Sequence, residues 1–182
     1  MSIVIICPIY NEVQYVDGLI RSIIAFDGQS KISDVVFVDG GSTDGTVEKL
    51  NFYSASNPKL RIMHNAKKTV PSGLNLAINA TSSKYVVRLD AHSTYPPEYI
   101  LNLYEVIERT GAANVGACIM TKTKDNGIQA RAIRTVLASS FGVGDSDFRI
   151  GYKEEKKVTT VPFGFFRRQS LVDAGLYDER LL

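Results

Sequence analysis

The chain has 182 residues, 45% of them hydrophobic and 22% charged, which is enough length and apolar content for one soluble domain with a real core. Its 21 Lys and Arg against 19 Asp and Glu leave a formal charge of +2, too small to point to nucleic acid or an acidic membrane surface as a partner. The opening "MSIVIICPIY" lacks the basic start of a signal peptide, and no apolar run reaches bilayer-spanning length.

In chain order, "SIVIICP" is a β-branched run closed by Pro8, and "VQYVDGLIRSIIAF" follows with apolar residues at helical spacing on Val13, Val16, Leu19, Ile20, Ile23 and Ile24. The alternation recurs as "DVVFVD" with "DGTVEKLNFYSAS", "LRIMHN" with "SGLNLAINA", and "KYVVRLD" with "PEYILNLYEVIERTG", where Pro96 and Pro97 suit a helix start. Successive strand–helix units whose strands are apolar on both faces predict an α/β fold, a mostly parallel, Rossmann-like sheet flanked by helices. Beyond them, "NVGACIMTK" reads as a strand, "IQARAIRTVLASS" as a helix, residues 141–157 as a long mobile loop, "VTTVPFGFF" as a strand and "RRQSLVDAG" as a short helix. Cys7 and Cys118 each sit in an apolar run at no metal or redox spacing, so both read as core residues of a protein from a reducing, cytoplasmic compartment.

In an open parallel sheet, ligands bind outside the carboxyl ends of the strands. There the first strand offers "PIYNE", the second "VDGGSTDGT" and the fourth "LDAHS". Tyr10, Asn11 and Glu12 suit either a turn and helix cap or a ligand contact; Ser42, Thr43 or Asp44 suits a helix cap; Asp39, ahead of the glycines, is free to accept hydrogen bonds from a base or ribose. Asp90 and His92 stand two apart, on one side of an extended chain, so both can reach one cation; the bland alternative is an Asp–His hydrogen bond capping the next helix. Arg88 either pairs with an acid or faces the site, and Lys67 and Lys68 lie in the loop after the third strand. Neither G-x-G-x-x-G nor a Walker-type loop is present, against NAD enzymes and P-loop NTPases.

With those residues in view, the chain resembles family 2 glycosyltransferases of the GT-A fold. "SIVIICPIYNE" resembles their opening strand and P-x-Y-N-E turn, "VVFVDGGSTDGT" their D-G-S-T-D-G-T loop, "VVRLDAHS" their D-x-D strand end, and "PFGFFRRQSLVDAGLYDERLL" their acceptor-side segment. Bacterial exopolysaccharide transferases of the succinoglycan type are similar in carrying D-A-H and "VPFG".

The resemblance implies an inverting transfer from a nucleotide-diphosphate sugar, a UDP-sugar on family frequency, to a glycan or lipid-linked acceptor. It puts Pro8, Tyr10, Asn11, Glu12, Asp39, Lys67, Lys68 and Asp90 on the donor side and Gly164, Arg167, Asp178 and Glu179 on the acceptor side. A divalent ion, Mn2+ or Mg2+, would be held by Asp90 and His92, the histidine standing where the family has a second aspartate and favouring manganese. The family's general base is an acid just past the [FY]-D-E motif, beyond Leu182, so no catalytic residue is assigned. Residues 1–182 are then expected to be one GT-A domain lacking its C-terminal part, binding donor better than it turns over, with any association with the inner membrane face made through segments outside it. A sugar-nucleotide pyrophosphorylase is disfavoured because "CPIYNEVQ" lacks the glycines of that enzyme's first loop; a non-catalytic nucleotide-sugar-binding module stays open.

Overall fold

The protein is described by a computed structural model covering residues 2–27, 32–123, 127–144, 146–151 and 154–181. It divides into two compact units, Met1–Val115 with Phe163–Leu182, and Gly116–Pro162.

The first unit is built on strand–helix alternation: β1 (Ile3–Ile9), α1 (Val16–Asp27), β2 (Ile32–Asp39), α2 (Thr46–Ser54), β3 (Leu60–His64), α3 (Val70–Asn79), β4 (Tyr85–Arg88) and α4 (Tyr99–Thr110). Two short strands, β5 (Asn114–Val115) and β6 (Phe165–Arg167), precede a closing helix. The six-stranded sheet runs in the order β3-β2-β1-β4-β6-β5, with β1 parallel to β2 and β4, and β2 parallel to β3. β6 is antiparallel to both β4 and β5.

Side-chain alternation divides the core. Ile3, Ile5, Cys7 and Ile9 of β1 join α1 and α4 on one face, while Val4 and Ile6 join Leu74, Ala77 and Ile78 of α3 on the other. Each such side chain, once buried, contributes about 1.5–3 kcal/mol, which is why a strand apolar on both faces belongs at the centre of a covered sheet. On α1, Val16, Leu19, Ile20 and Ile23 are buried as their spacing predicts, but Ile24 is 60% exposed because it lies one position past the inward stripe.

Chain order reverses at β1. β2 and β3 extend to one side of it and β4 lies on the other, so the loops leaving β1 and β4 diverge and open a crevice at their carboxyl ends.

The second unit holds α5 (Ile128–Leu137), α6 (Ser140–Val143) and α7 (Asp147–Ile150). α7 and all of α6 but its first residue fall inside the segment expected to be a loop; the Ser139 hydroxyl accepts from the Gly142 N–H and so starts α6. The extended run expected over "NVGACIMTK" pairs only at Asn114–Val115, and Cys118 is exposed rather than in the core. The strand expected over "VTTVPFGFF" is confined to Phe165 and its followers, because Pro162 has no N–H to give a ladder and Phe163 takes a left-handed φ of 50°. Among the described residues, no helix is long and apolar enough to cross a membrane.

Candidate functional site

The turn after β1 and the loop after β2 are stitched together by side chains. Asn11, at a left-handed φ of 53°, donates its N–H to the Ser42 hydroxyl (2.9 Å), while its Oδ1 accepts from the Thr43 N–H (2.8 Å). The Glu12 N–H donates to Thr46 Oγ1 (2.9 Å) and the Val13 N–H to Asp44 Oδ2 (3.0 Å). Asp44 Oδ1 also accepts from the Thr46 hydroxyl and from the Thr46 N–H (3.0 Å), and the hydroxyl above all holds this carboxyl below the usual carboxylate range. The N-cap of α2 is Gly45, which has no side chain to cap with, so the cap expected of Ser42, Thr43 or Asp44 is not formed and Asp44 acts from one position before it. Asp39, 5% exposed, accepts from the N–H groups of Gly41 (2.8 Å) and Ser42 (3.1 Å), so its carboxylate first shapes its own loop.

The end of β4 is fixed differently. The phenol of Tyr95 accepts from the Asp90 N–H (2.8 Å) and donates to the Asp90 carbonyl (3.3 Å), pinning the backbone that carries the carboxylate. Burial pushes this phenol well above its ordinary pKa, so it keeps its proton. The Tyr95 ring is itself wedged against Phe26 and Tyr99. Asp90, 8% exposed, meets the Arg88 guanidinium, with Nε to Oδ1 at 3.0 Å and Nη2 to Oδ2 at 3.4 Å. His92 instead donates Nδ1–H to Glu12 Oε1 at 3.0 Å, joining the turn after β4 to the turn after β1. The turn closed by the Ser93 N–H on the Asp90 carbonyl ends the extended course before His92, so the two-residue period does not carry past Asp90.

After β3, Asn65 is 7% exposed; its Nδ2 donates to the Thr69 carbonyl (2.8 Å) and its Oδ1 accepts from the Ser72 hydroxyl (2.9 Å), shaping the loop into α3. Lys68, at φ 58°, lays the end of its side chain over Gly41, where an added Cβ would stand 3.4 Å from Lys68 Cε. The Gly41 φ of 92° excludes most other residues on its own account.

These loops line one open pocket of about 190 Å3, formed by residues that include Tyr10, Glu12, Lys68, Arg88, Asp90 and His92. Pro8 and Asn65 also border it. Such a volume is below the ~300–1,000 Å3 that usually encloses a drug-sized ligand, so it fits one end of a larger molecule. Of the donor-side residues expected from sequence, Asn11, Asp39 and Lys67 are not in its lining. Lys67 pairs with Glu179 at 2.6 Å, and Asn75 Nδ2 donates both to Glu179 (3.2 Å) and to the Tyr177 carbonyl (2.8 Å). The ammonium of Lys67 holds the Glu179 carboxyl below its usual range.

The remaining acceptor-side residues lie elsewhere. Asp178 pairs with Arg180 at 2.7 Å, and the Gly164 carbonyl accepts from the Arg88 N–H at 3.3 Å. Arg167 spans the carbonyls of Ile107 (2.7 Å) and Ala112 (3.1 Å) and the carboxylate of Glu108 (2.9 Å). Tyr95 and Asn65 gave no sequence signal, since Tyr95 serves backbone groups, Asn65 a carbonyl and a serine hydroxyl, and neither repeats with an element's period.

Among the described residues, no three His, Cys, Asp or Glu side chains gather as a complete metal cage. Asp90 and His92 nevertheless line the same pocket, and with Nδ1–H of His92 on the Glu12 carboxylate, Nε2 would be the nitrogen that meets a cation, the usual support for a ligating imidazole. One carboxylate and one imidazole would suit a transition-metal divalent ion such as Mn2+, shared with a phosphate-bearing ligand, better than Mg2+.

The profile of the family described as "Glycosyl transferase family 2" matches residues 4–175. The succinoglycan biosynthesis protein ExoA of Rhizobium meliloti (strain 1021) is 31% identical over 156 residues, which cover 82% of this chain and 45% of that protein. S. aureus TarS (residues 1–349) superposes with a TM-score of 0.73 at 18% identity over 100% of this chain and 51% of that one, and TarS is also solved with UDP-GlcNAc. The mannosyltransferase PcManGT from Pyrobaculum calidifontis, solved with GDP-Man and Mn2+, superposes with a TM-score of 0.69 at 20% identity over 97% of this chain and 47% of that one. The structural likeness shows the GT-A fold. The chain spans about half the length of these proteins.

Proposed function

This chain belongs to glycosyl transferase family 2, and on that premise we propose that it is an inverting glycosyltransferase domain that takes a UDP-sugar as donor. The acceptor in this reading is a growing glycan or a lipid-linked glycan of cell-surface or exopolysaccharide synthesis. The observation that carries it is the pocket at the switch point of the sheet, where the ends of β1 and β4 bring Tyr10, Glu12, Arg88, Asp90 and His92 together beside Lys68.

In this reading Pro8, Tyr10 and Glu12 border the base, and Asp39 holds the loop against which base or ribose rests. Lys68 and Arg88 supply positive charge to the diphosphate. An acceptor hydroxyl, deprotonated by a carboxylate, attacks the anomeric carbon from the face opposite the nucleotide; the carbon–oxygen bond to the diphosphate breaks and UDP leaves with that electron pair. A divalent ion on Asp90 and His92 would take up negative charge on the leaving diphosphate when bound. A positioned base contributes about 10²–10⁴-fold, and it is not assigned to a residue of this chain. Two thiols without a disulfide suit a reducing compartment, so the proposed location is the cytoplasm, at the inner membrane face where the acceptor is lipid-linked.

Calorimetric titration of UDP, ADP and GDP into the purified chain tests the reading. UDP is expected to bind more tightly than ADP or GDP. A folded chain that binds none of the three would remove the donor pocket and the proposal with it.

A further inference from the structure

β4 delivers a cation to the pocket two residues ahead of its carboxylate. Arg88 is held at the backbone by its register with Ile6 of β1 and by its N–H on the Gly164 carbonyl. Its guanidinium meets both oxygens of Asp90, at 3.0 and 3.4 Å, and stacks 5.1 Å from the centroid of the Phe163 ring. The two side chains are only 22% and 11% exposed, and both line the pocket with His92 and Lys68.

A carboxylate whose two oxygens are both engaged by one guanidinium already has its charge met. A divalent ion that reaches Asp90 must displace one of those hydrogen bonds or share an oxygen with the guanidinium, and in either case it rests beside a fixed positive charge whose side chain is only 22% exposed. With no ion present the guanidinium spends only two of its N–H donors on Asp90, and the others match phosphate oxygens as well as they match a carboxylate.

We propose that Arg88 and a divalent cation are alternative partners of the Asp90 carboxylate, so that Arg88 weakens metal binding while supplying the diphosphate with charge when no ion is bound. The role in diphosphate binding rests on the donor reading above; the competition at Asp90 does not. The site then tolerates metal scarcity, and removing Arg88 converts it to a metal-dependent one.

The test uses the 182-residue chain and Mn2+ alone, with free Mn2+ read by electron paramagnetic resonance, for the wild type and for Arg88→Met, Arg88→Lys and Asp90→Asn. Methionine keeps the length and the packing on Phe163. Arg88→Met is expected to bind Mn2+ about tenfold or more tightly than wild type, the scale of one lost charge-assisted pair. Arg88→Lys, which keeps the charge and loses the fork, should fall between, and Asp90→Asn should lose binding. A second titration, of UDP in EDTA, should show wild-type binding that Arg88→Met loses by about tenfold and regains with Mn2+.

Equal or weaker Mn2+ affinity in a folded Arg88→Met, or no Mn2+ binding by either protein, overturns the inference. If Arg88→Met does not fold, Arg88→Lys decides alone, and an affinity no tighter than wild type is then the overturning result. Failure of every variant to bind UDP counts against the donor reading, while the Mn2+ comparison still judges the competition.

Discussion

A carboxylate sheltered from water needs hydrogen-bond donors or a counter-ion to offset its lost solvation, and the crevice meets its acids in three ways. Asp39 uses the backbone N–H groups of Gly41 and Ser42, Asp90 the guanidinium of Arg88, and Glu12 the imidazole of His92. The consequences of substitution differ accordingly. Asp39→Ala strands two N–H donors in a loop that Asn11, Ser42 and Thr43 tie to the turn after β1, and is expected to lower stability by about 1–3 kcal/mol in urea unfolding. Asp39→Asn retains an acceptor oxygen and should cost less. An Asn variant of unaltered stability that binds UDP poorly would assign the carboxylate to the ligand; an Ala variant of unaltered stability would show that the loop holds without it.

At the scale of elements, Arg167 ties β6 to the end of α4, through the carbonyls of Ile107 and Ala112 and the carboxylate of Glu108, with the Tyr85 hydroxyl 3.3 Å from Nη1. Arg167→Met should therefore cost about 1–3 kcal/mol in denaturant unfolding and leave UDP binding unchanged. Unaltered stability with weakened acceptor binding would instead return Arg167 to the acceptor side. The same junction marks where sequence reading loses its grip. β1, β2 and β4 are legible because burial on both faces demands unbroken runs such as "VIIC" and "VVFV", and α1 because its stripe repeats every three or four residues. β5 and β6 are two and three residues long and pair with each other across the whole second unit, so no local period betrays them. Within the pocket, the residues at strand ends stand out by chemistry, as Glu12, Asp90 and His92 do. Tyr95 and Asn65 do not, because their partners are backbone groups of Asp90 and Thr69 that any sequence supplies, together with the Ser72 hydroxyl on Asn65, a pairing that no local period marks.

The whole molecule reads as a sheet unit with a long excursion between two of its strands. Val115, the last residue of β5, pairs directly with Phe165 of β6, so the chain leaves the first unit and returns to it at neighbouring points of one ladder. The second unit's own entry and exit also meet, since a Cβ added to Gly116 would stand 2.3 Å from Val161 Cγ1. An insertion whose ends coincide asks little of its host, and shortening such a loop to a few residues changes closure entropy by only about 1–2 kcal/mol, in the host's favour. The pocket-lining residues run from Pro8 to His92 and belong to the first unit. Replacing residues 117–161 with a short Gly/Ser linker is therefore expected to leave a cooperatively unfolding protein with the β1–β4 amides protected from hydrogen exchange and with UDP affinity within a few-fold of the parent. Loss of cooperative unfolding would mean that the sheet draws stability from the second unit. Retained folding with lost UDP affinity would mean that the second unit contributes to donor binding, a role that the residues at the strand ends do not require.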